Sequence, residues 1–292
     1  MFEKANLTNE QKEWIVAQAL ESPEGRVALA QAMVEPIRRS LEYQAVGRKL
    51  LLVDELPQGA YARYERDVAA IAHILGRRGR VPDQIAEGEE LLVPTFEIAA
   101  NPQVRLSEIR ARRFYIVDRA QIKAKEAIQK EEDTVIFRTL MSAVDTRNTQ
   151  IVSGSSTLSH EALNECFALI EQHDLVATRI IMHPNNYMYV RGFGHEFYDQ
   201  ATVREILTSG LFGHLWTADI HVSSRMDVDS VLVVASPDTV GVFPIRQDIT
   251  VLPADDPKAL RLGWVIYEEI GVAVINDYAI SKVDLSGSTD GL

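Results

Sequence analysis

The chain has 292 residues, of which 46% are hydrophobic and 25% are charged, as in an ordinary globular protein with one large domain or two lobes. Its net charge of -12 disfavours specific nucleic-acid binding, because acidic surfaces repel polyanions unless basic residues cluster on one face. No apolar run reaches the length of about 18 residues that a membrane-spanning helix needs, and the acidic start lacks a signal-peptide pattern. We therefore expect no membrane association, with synthesis and folding in a cytoplasm.

The first 56 residues are predicted to form an N-terminal arm with two helices. Apolar side chains recur at helical spacing within residues 10–22 and 26–44, and a turn at 22–25 (SPEG) separates the two stretches. Pro36 is expected to end or bend the second helix, because proline lacks a backbone donor and crowds the preceding turn.

Residues 57–102 predict a long hairpin that projects from the body of the protein. Two extended runs, 68–75 and 91–99, flank a tip that contains glycine, proline and charges of both signs. The tip lacks interleaved aromatic residues, so a solvated surface is favoured over a nucleic-acid site. A projecting hairpin buries little of itself and exposes two edges, which indicates that another chain covers it. The tip charges expected at this subunit interface are Arg77, Arg78, Arg80, Glu87, Glu89 and Glu90.

A long helix is predicted over residues 121–144, which contain neither glycine nor proline. Its middle, residues 129–134 (QKEEDT), has polar side chains on all sides and no apolar stripe to bury. Glu126 and Lys130 are spaced for an i to i+4 ion pair that supports the helix. We call this region the polar waist and expect it to stay unburied in a single subunit; its members are Glu126, Lys130, Glu131, Glu132 and Asp133.

The second half of the chain predicts one well-capped helix followed mainly by strands. After a polar link at 145–156, Ser159 is a candidate N-cap for a helix within 158–175, and Cys166 on its apolar face is interpreted as a core residue rather than a nucleophile. Short helices near 187–193 and 202–212 precede a series of antiparallel-looking strands and a flexible tail at 286–292. VGVFPI and ITVLP are predicted as two separate strands of this series. Helices early and strands late favour an α+β fold.

Enzyme signatures are missing from the sequence. His195 has no second histidine four residues later, as a zinc-protease helix would, and residues 192–194 (GFG) do not form a dinucleotide-binding fingerprint. No GxSxG motif and no phosphate-binding glycine loop are present. We assign no catalytic residue, metal ligand or cofactor, although a catalytic site assembled from distant residues stays an open alternative.

Two acidic pairs have simpler explanations than a chemical site. Glu268 and Glu269 are adjacent in a predicted strand, so their side chains point to opposite faces and cannot share one substrate. Asp227 and Asp229 share the spacing of a calcium loop, but the glycine and closing glutamate of such a loop are absent. A loop between strands is the favoured interpretation of residues 225–230.

The order of elements and four late passages of the chain resemble a known family. The passages are TRIIMHPNNYMYVRG, SGLFGHLWTADIHVSSRM, SVLVVASPDTVGVFPIRQDITV and GWVIYEEIGVAVINDYAISKV. The chain resembles the major capsid proteins of tailed bacteriophages, which have the Hong Kong 97 type shell fold. The individual motifs are patterns of apolar residues and glycines with low specificity. The resemblance in the order of elements covers nearly the whole chain. It implies an N-terminal arm at 1–56, an E-loop hairpin at 57–102, a peripheral P-domain with the spine helix at 103–178, an apical A-domain at 179–257, and closing strands of both domains at 258–285.

The resemblance also implies a function. The subunits would self-assemble into hexamers and pentamers of an icosahedral shell that encloses the double-stranded DNA genome of a tailed phage. Assembly would take place in the host cytoplasm and the product would be the virion capsid, with a portal and a separate scaffolding protein as partners. A decoration protein is left as an open alternative. The polar waist of the spine helix would then face solvent, the lumen or a neighbour's arm, and the acidic charge would keep packaged DNA from adhering to the inner wall.

Two features depart from parts of this family. No lysine occurs from residue 50 to residue 122, so a covalent cross-link from an E-loop lysine is not expected. An arm of about fifty residues leaves no room for a built-in scaffolding segment. The alternative within the same fold is an encapsulin-type nanocompartment shell that encloses protein cargo, and the two-helix arm favours the phage protein.

Overall fold

The computed structural model describes residues 46–57, 59–65, 90–105, 107–108, 115–192 and 213–286. The predicted arm helices, most of the hairpin, the helix near 202–212 and nearly all of the tail lie outside these residues. The chain divides into two compact units. The first unit comprises the described residues within 1–48, 96–135 and 245–270, and the second comprises those within 49–95, 136–244 and 271–292.

The described residues form both helices and strands, which confirms the predicted mixture of the two. The helices are α1 (Tyr115–Arg147), α2 (His160–Glu171), α3 (Pro184–Gly192) and α4 (Pro237–Val240), with short 3-10 helices at Gly47–Lys49 and Asp277–Ala279. The strands are β1 (Leu52–Glu55), β2 (Arg63–Glu65), β3 (Glu90–Leu92), β4 (Thr95–Ala100), β5 (Gln103–Arg105), β6 (Ile151–Ser153), β7 (Ala177–Met182), β8 (His214–Leu215), β9 (Ala218–Val222), β10 (Ser230–Ala235), β11 (Gly241–Pro253), β12 (Arg261–Gly271), β13 (Ala273–Val274) and β14 (Ile280–Asp284).

The first unit is built around β12, which pairs with β11 on one side and with β4 and β5 on the other. The register of β11 and β12 places Thr250 opposite Tyr267, and Gly263 lies opposite Gln103 in β5. A Cβ at position 263 would lie 2.9 Å from both the Ala254 carbonyl oxygen and the Gln103 side chain, so glycine permits this close approach. The first half of α1 belongs to the same unit. The buried apolar side chains of the unit include Ile98, Val104, Ile128, Ile249, Val251, Trp264 and Ile266.

The second unit contains a six-stranded sheet in the order β6-β14-β10-β7-β9-β8. Two pairs, β6 with β14 and β7 with β9, are parallel, whereas the remaining neighbours are antiparallel. All six residues of β10 are buried, as expected for a continuous apolar run in the middle of a sheet. α2 packs on β14, and the Ser281 hydroxyl donates to the Cys166 carbonyl at 3.0 Å.

The structure confirms the predicted α2 helix and its cap. Ser159 has an extended backbone, and its hydroxyl accepts a hydrogen bond from the Ala162 N–H at 3.2 Å. Cys166 is fully buried, as the apolar spacing predicted. The strands predicted after residue 213 are present, and residues 225–229 form the loop between β9 and β10. The predicted helix near 187–193 corresponds to α3.

Three predicted boundaries are wrong. The long helix covers Tyr115–Arg147 rather than 121–144, so residues 115–120, which precede the predicted start, and residues 145–147, predicted as linker, are helical. The remaining linker contains β6, which pairs with β14 far along the chain. The separately predicted strands VGVFPI and ITVLP are one strand, β11, whose register shifts within 245–250. Long-range pairing decides these cases, and local composition does not report it.

Candidate functional site

The polar waist of α1 has one exposed side and one buried side. Lys130 and Glu131 are exposed, but Glu132 is fully buried and Asp133 is nearly so. Glu126 accepts a hydrogen bond from Lys123, one turn earlier, at 3.1 Å. The expectation that the whole waist faces solvent, a lumen or a neighbouring subunit is therefore wrong for Glu132 and Asp133. Helical periodicity explains the division, because Glu132 lies four residues after buried Ile128 and shares its face.

The buried side of the waist binds the segment 46–48 of the same chain. The Arg48 guanidinium donates from Nε to Glu132 Oε1 at 2.5 Å and from Nη2 to Glu268 Oε2 at 3.0 Å. The Gly47 backbone N–H donates to Asp133 Oδ1 at 2.8 Å. One guanidinium thus connects a carboxylate of α1 with a carboxylate of β12, inside the first unit. We call Arg48, Glu132, Asp133 and Glu268 the buried charge cluster.

Glu268 and its neighbour Glu269 point to opposite faces of β12, as predicted. Glu268 is fully buried in the cluster, whereas Glu269 is partly exposed and accepts from Arg246 Nη1 at 3.0 Å. The sequence reasoning missed the pairing of Glu268 with α1 through Arg48. A signal was present, because Glu268 shares one face of β12 with Trp264, Ile266 and Ile270, which are apolar and buried.

Burial dominates the electrostatics of the cluster. Burial raises the pKa of Glu268 to about 8, the charge of Glu132 adds to the rise, and Arg48 opposes it. The pKa of Glu132 is also raised, mainly by burial, against the lowering effect of Arg48. Burial raises the pKa of Asp133, whereas hydrogen bonds from the backbone of Gly47 and Val46 lower it. These carboxyls hold protons more tightly than exposed ones do.

The cluster is arranged for structure rather than for chemistry on a substrate. Glu132 and Glu268 are both 0% exposed, so a substrate has no access to them. Among the residues that the structure describes, no group of three or more His, Cys, Asp or Glu side chains is arranged to hold a metal ion. None of the described helices combines the length and the apolar character needed to span a bilayer.

The hairpin is described only at its stem, where β2 and β3 pair antiparallel with Arg63 opposite Leu92. Glu90 is exposed and contacts Arg63 Nη1 of its own chain at 3.2 Å. Tyr61 and Leu92 are also exposed, at 68% and 60%. The stem therefore presents charged and large apolar side chains together. The predicted interface residues that lie outside the described part of the chain are Arg77, Arg78, Arg80, Glu87 and Glu89.

A small apolar core anchors the stem within the second unit. Buried Ala62 and Val93 pack with Val242 at the start of β11. The Val93 N–H donates to the Ala62 carbonyl at 2.9 Å, and the Tyr64 hydroxyl donates to Asp54 Oδ2 at 2.7 Å. Burial, together with the hydrogen bond to Asp54, raises the pKa of Tyr64 well above its usual range. The exposed part of the stem is thus attached to a fixed base.

Comparison with known proteins identifies the fold. No family model and no curated protein sequence matches the chain. Among solved structures, one from Mycobacterium phage Che8 matches with a TM-score of 0.62 at 16% identity, over 84% of this chain and 93% of that chain. The mature capsid of bacteriophage PhiM1 matches with a TM-score of 0.62 at 10% identity, over 84% and 88%. A virus-like particle from Pyrococcus furiosus matches with a TM-score of 0.57 at 18% identity, over 87% and 98%. The chain therefore has the Hong Kong 97 type fold of phage capsid proteins.

Proposed function

We propose that this chain is the major capsid protein of a tailed phage and that it self-assembles into hexamers and pentamers of an icosahedral shell around double-stranded DNA. The observation that carries the proposal is the fold match to the PhiM1 mature capsid over 84% of this chain. The burial of Glu132 and Glu268 in contacts within the chain agrees with a structural role. The virion capsid would be its location, after assembly in the host cytoplasm.

The hairpin is the proposed main contact between subunits. Its stem leaves the large apolar side chains of Tyr61 and Leu92 exposed, where a partner could bury them. Opposite charges at the tip would set the register between neighbouring subunits, and a closed shell repeats each weak contact many times. The proposed interface charges are Arg77, Arg78, Arg80, Glu87, Glu89 and Glu90.

Assembly of the purified chain tests the proposal. We expect closed particles in negative-stain micrographs and elution from gel filtration far ahead of a 32.7 kDa monomer. Small oligomers under all conditions, with or without a scaffolding protein, would contradict a shell function and favour a soluble enzyme or binding protein.

Reversal of the tip charges tests the interface. The triple variant R77E/R78E/R80E should assemble poorly while its circular dichroism stays that of the parent. The matched control is R138E/R225E/K258E, which makes the same change in net charge at exposed positions. Normal shell yield for the tip variant, or equal loss for both variants, would place the decisive contact elsewhere.

An encapsulin-type shell that encloses protein cargo is the second candidate. The observation in favour of this second candidate is the match to the Pyrococcus furiosus virus-like particle, over 98% of that chain. Particles isolated from the native source separate the two functions. Nuclease-protected double-stranded DNA would support the capsid, with a portal and a separate scaffolding protein as expected partners, whereas a co-purifying enzyme without DNA would support the nanocompartment.

A further inference from the structure

Glu132 and Glu268 divide a single guanidinium between them. Arg48 uses Nε for one carboxylate and Nη2 for the other, although this pair of donors matches the two oxygens of one carboxylate. Both glutamates are fully buried. If both were ionised, Arg48 would offset one of the two negative charges and leave the second inside the first unit.

Among the described residues, the other charged groups that act on the pair are mainly acidic. From α1, Asp133 raises the pKa of Glu132, and from β11, Asp248 raises that of Glu268. From the 46–48 segment, Arg48 is the cation that contacts both glutamates. On β12, Glu269 is paired with Arg246 on the opposite face. Within the described part of the chain, Asp133 and Asp248 therefore add negative potential to a pair that has two carboxylates for one guanidinium.

The hydrogen bonds of the pair are incomplete as well. Glu132 Oε2 and Glu268 Oε1 are buried and have no hydrogen-bond partner. A buried acceptor without a donor is costly, because folding has removed the water that would satisfy it. One added proton removes the excess charge and turns one of the two acceptors into a donor. The same proton therefore removes the excess charge and reduces the number of buried acceptors without a donor.

We propose that the folded subunit holds one proton on the Glu132–Glu268 pair and that this proton maintains the contact between α1 and β12. When the proton passes to solvent, two ionised carboxylates at one guanidinium repel each other and the contact of helix and strand weakens. The device belongs to the single chain and does not rest on the proposed function, so its test stands whether or not the chain forms shells. In a shell it would make the attachment of the long helix weaken as the pH rises from about 5 to about 8.

The direction of the pH dependence follows from the raised pKa of Glu268. The folded chain keeps the proton up to about pH 8, whereas an unfolded glutamate loses it near pH 4.5. The contribution to stability is fully present below the ordinary glutamate pKa and declines as the pH rises toward about 8. In this window the folded state binds one proton that the unfolded state does not bind. Each rise of one pH unit therefore lowers the folded-to-unfolded ratio about tenfold.

Infrared difference spectroscopy tests the proton directly. A buried protonated carboxyl has a C=O band separate from those of carboxylates, and the full-length parent should lose one such band between about pH 7 and pH 10, around the pKa of Glu268. Glu268→Gln and Glu132→Gln should each abolish the loss, because Arg48 then neutralises the remaining glutamate. Glu269→Gln, adjacent on the opposite face, is the matched control and should retain it. No band in the parent, or a band that survives in either of the first two variants, would overturn the shared proton.

Amide hydrogen exchange tests the consequence for packing. In the parent and in Glu269→Gln, the opening constant of α1 residues 128–135 should rise by about tenfold per pH unit from about pH 5 to pH 8, after correction for intrinsic exchange. In Glu268→Gln, which mimics the protonated group, the opening constant should change by a factor of about one per pH unit, that is, it should stay nearly constant. Equal slopes in the parent and Glu268→Gln would show that the proton does not maintain the contact.

Discussion

Replacing Arg48 with methionine should destabilise the folded chain by roughly 3 to 5 kcal/mol, the typical cost of removing one partner from a buried ion pair. The side chain of Arg48 is 11% exposed and those of Glu132 and Glu268 are 0% and 1% exposed, so solvent cannot replace the lost guanidinium. Methionine keeps much of the apolar stem of arginine, which limits the loss of packing. The measured effect therefore reports mainly the charge left without a counter-ion.

The magnitude converts into a large change in thermal stability. For domains of this size, 1 kcal/mol corresponds to about 2 to 4 °C, so R48M should melt of order 10 °C below the parent. The loss should be smaller at pH 5 than at pH 8, because Glu132 and Glu268, whose pKa values burial already raises, can then neutralise themselves by protonation. Circular dichroism melts at these two pH values measure both effects.

An exposed arginine provides the matched control. Arg63 also contacts a glutamate, Glu90, but both side chains are about 60% exposed, and such pairs contribute no more than about 1 kcal/mol. R63M should therefore melt close to the parent. If R48M and R63M have the same melting temperature, the buried charge cluster does not stabilise the fold as described. Addition of E132Q and E268Q to R48M should restore much of the loss, since neutral amides replace the unpaired charges.

Three further predictions concern local packing. Ser159→Ala removes the cap of α2 and should lower the free energy of unfolding, measured by urea denaturation, by about 0.5 to 2 kcal/mol. An unchanged denaturation midpoint would show that the cap does not stabilise the fold. Because burial raises the pKa of Cys166 to about 12, the thiol should resist a thiol reagent at about pH 8 until denaturant is added, and rapid labelling of folded protein would contradict its burial. Gly241→Ala should cost about 1 to 3 kcal/mol, because the new Cβ would lie 2.2 Å from the Ala273 carbonyl oxygen, whereas Gly213→Ala meets no atom and should be nearly neutral.

Elements with a strong local signal were predicted correctly from the sequence. The hydroxyl of Ser159 and the apolar spacing around Cys166 define α2, and the structure places both as expected. The apolar run of β10 predicts a strand for the same reason. β6 was missed because it is three residues long within a polar stretch and forms only through its pairing with β14.

The candidate site was predicted less completely than the fold. The sequence located the polar waist, but a polar segment of a helix gives no indication of which of its residues are buried. Glu131 and Glu132 are adjacent and chemically identical, yet the first is exposed and the second fully buried. The partners of Glu132 come from the 46–48 segment and from β12, which local periodicity cannot bring together.

The sequence by itself determined the element types, the capped helix, the α+β class and the resemblance to capsid proteins, because helix caps and apolar periodicity act between residues near each other in the chain. Only the tertiary structure decided that Arg48 joins Glu132 and Glu268. A carboxylate prefers water unless the fold supplies a cation and hydrogen bonds at the same point, and those groups come from distant parts of the chain. The polar waist is therefore, on one of its sides, a buried contact between a helix and a strand of the same subunit.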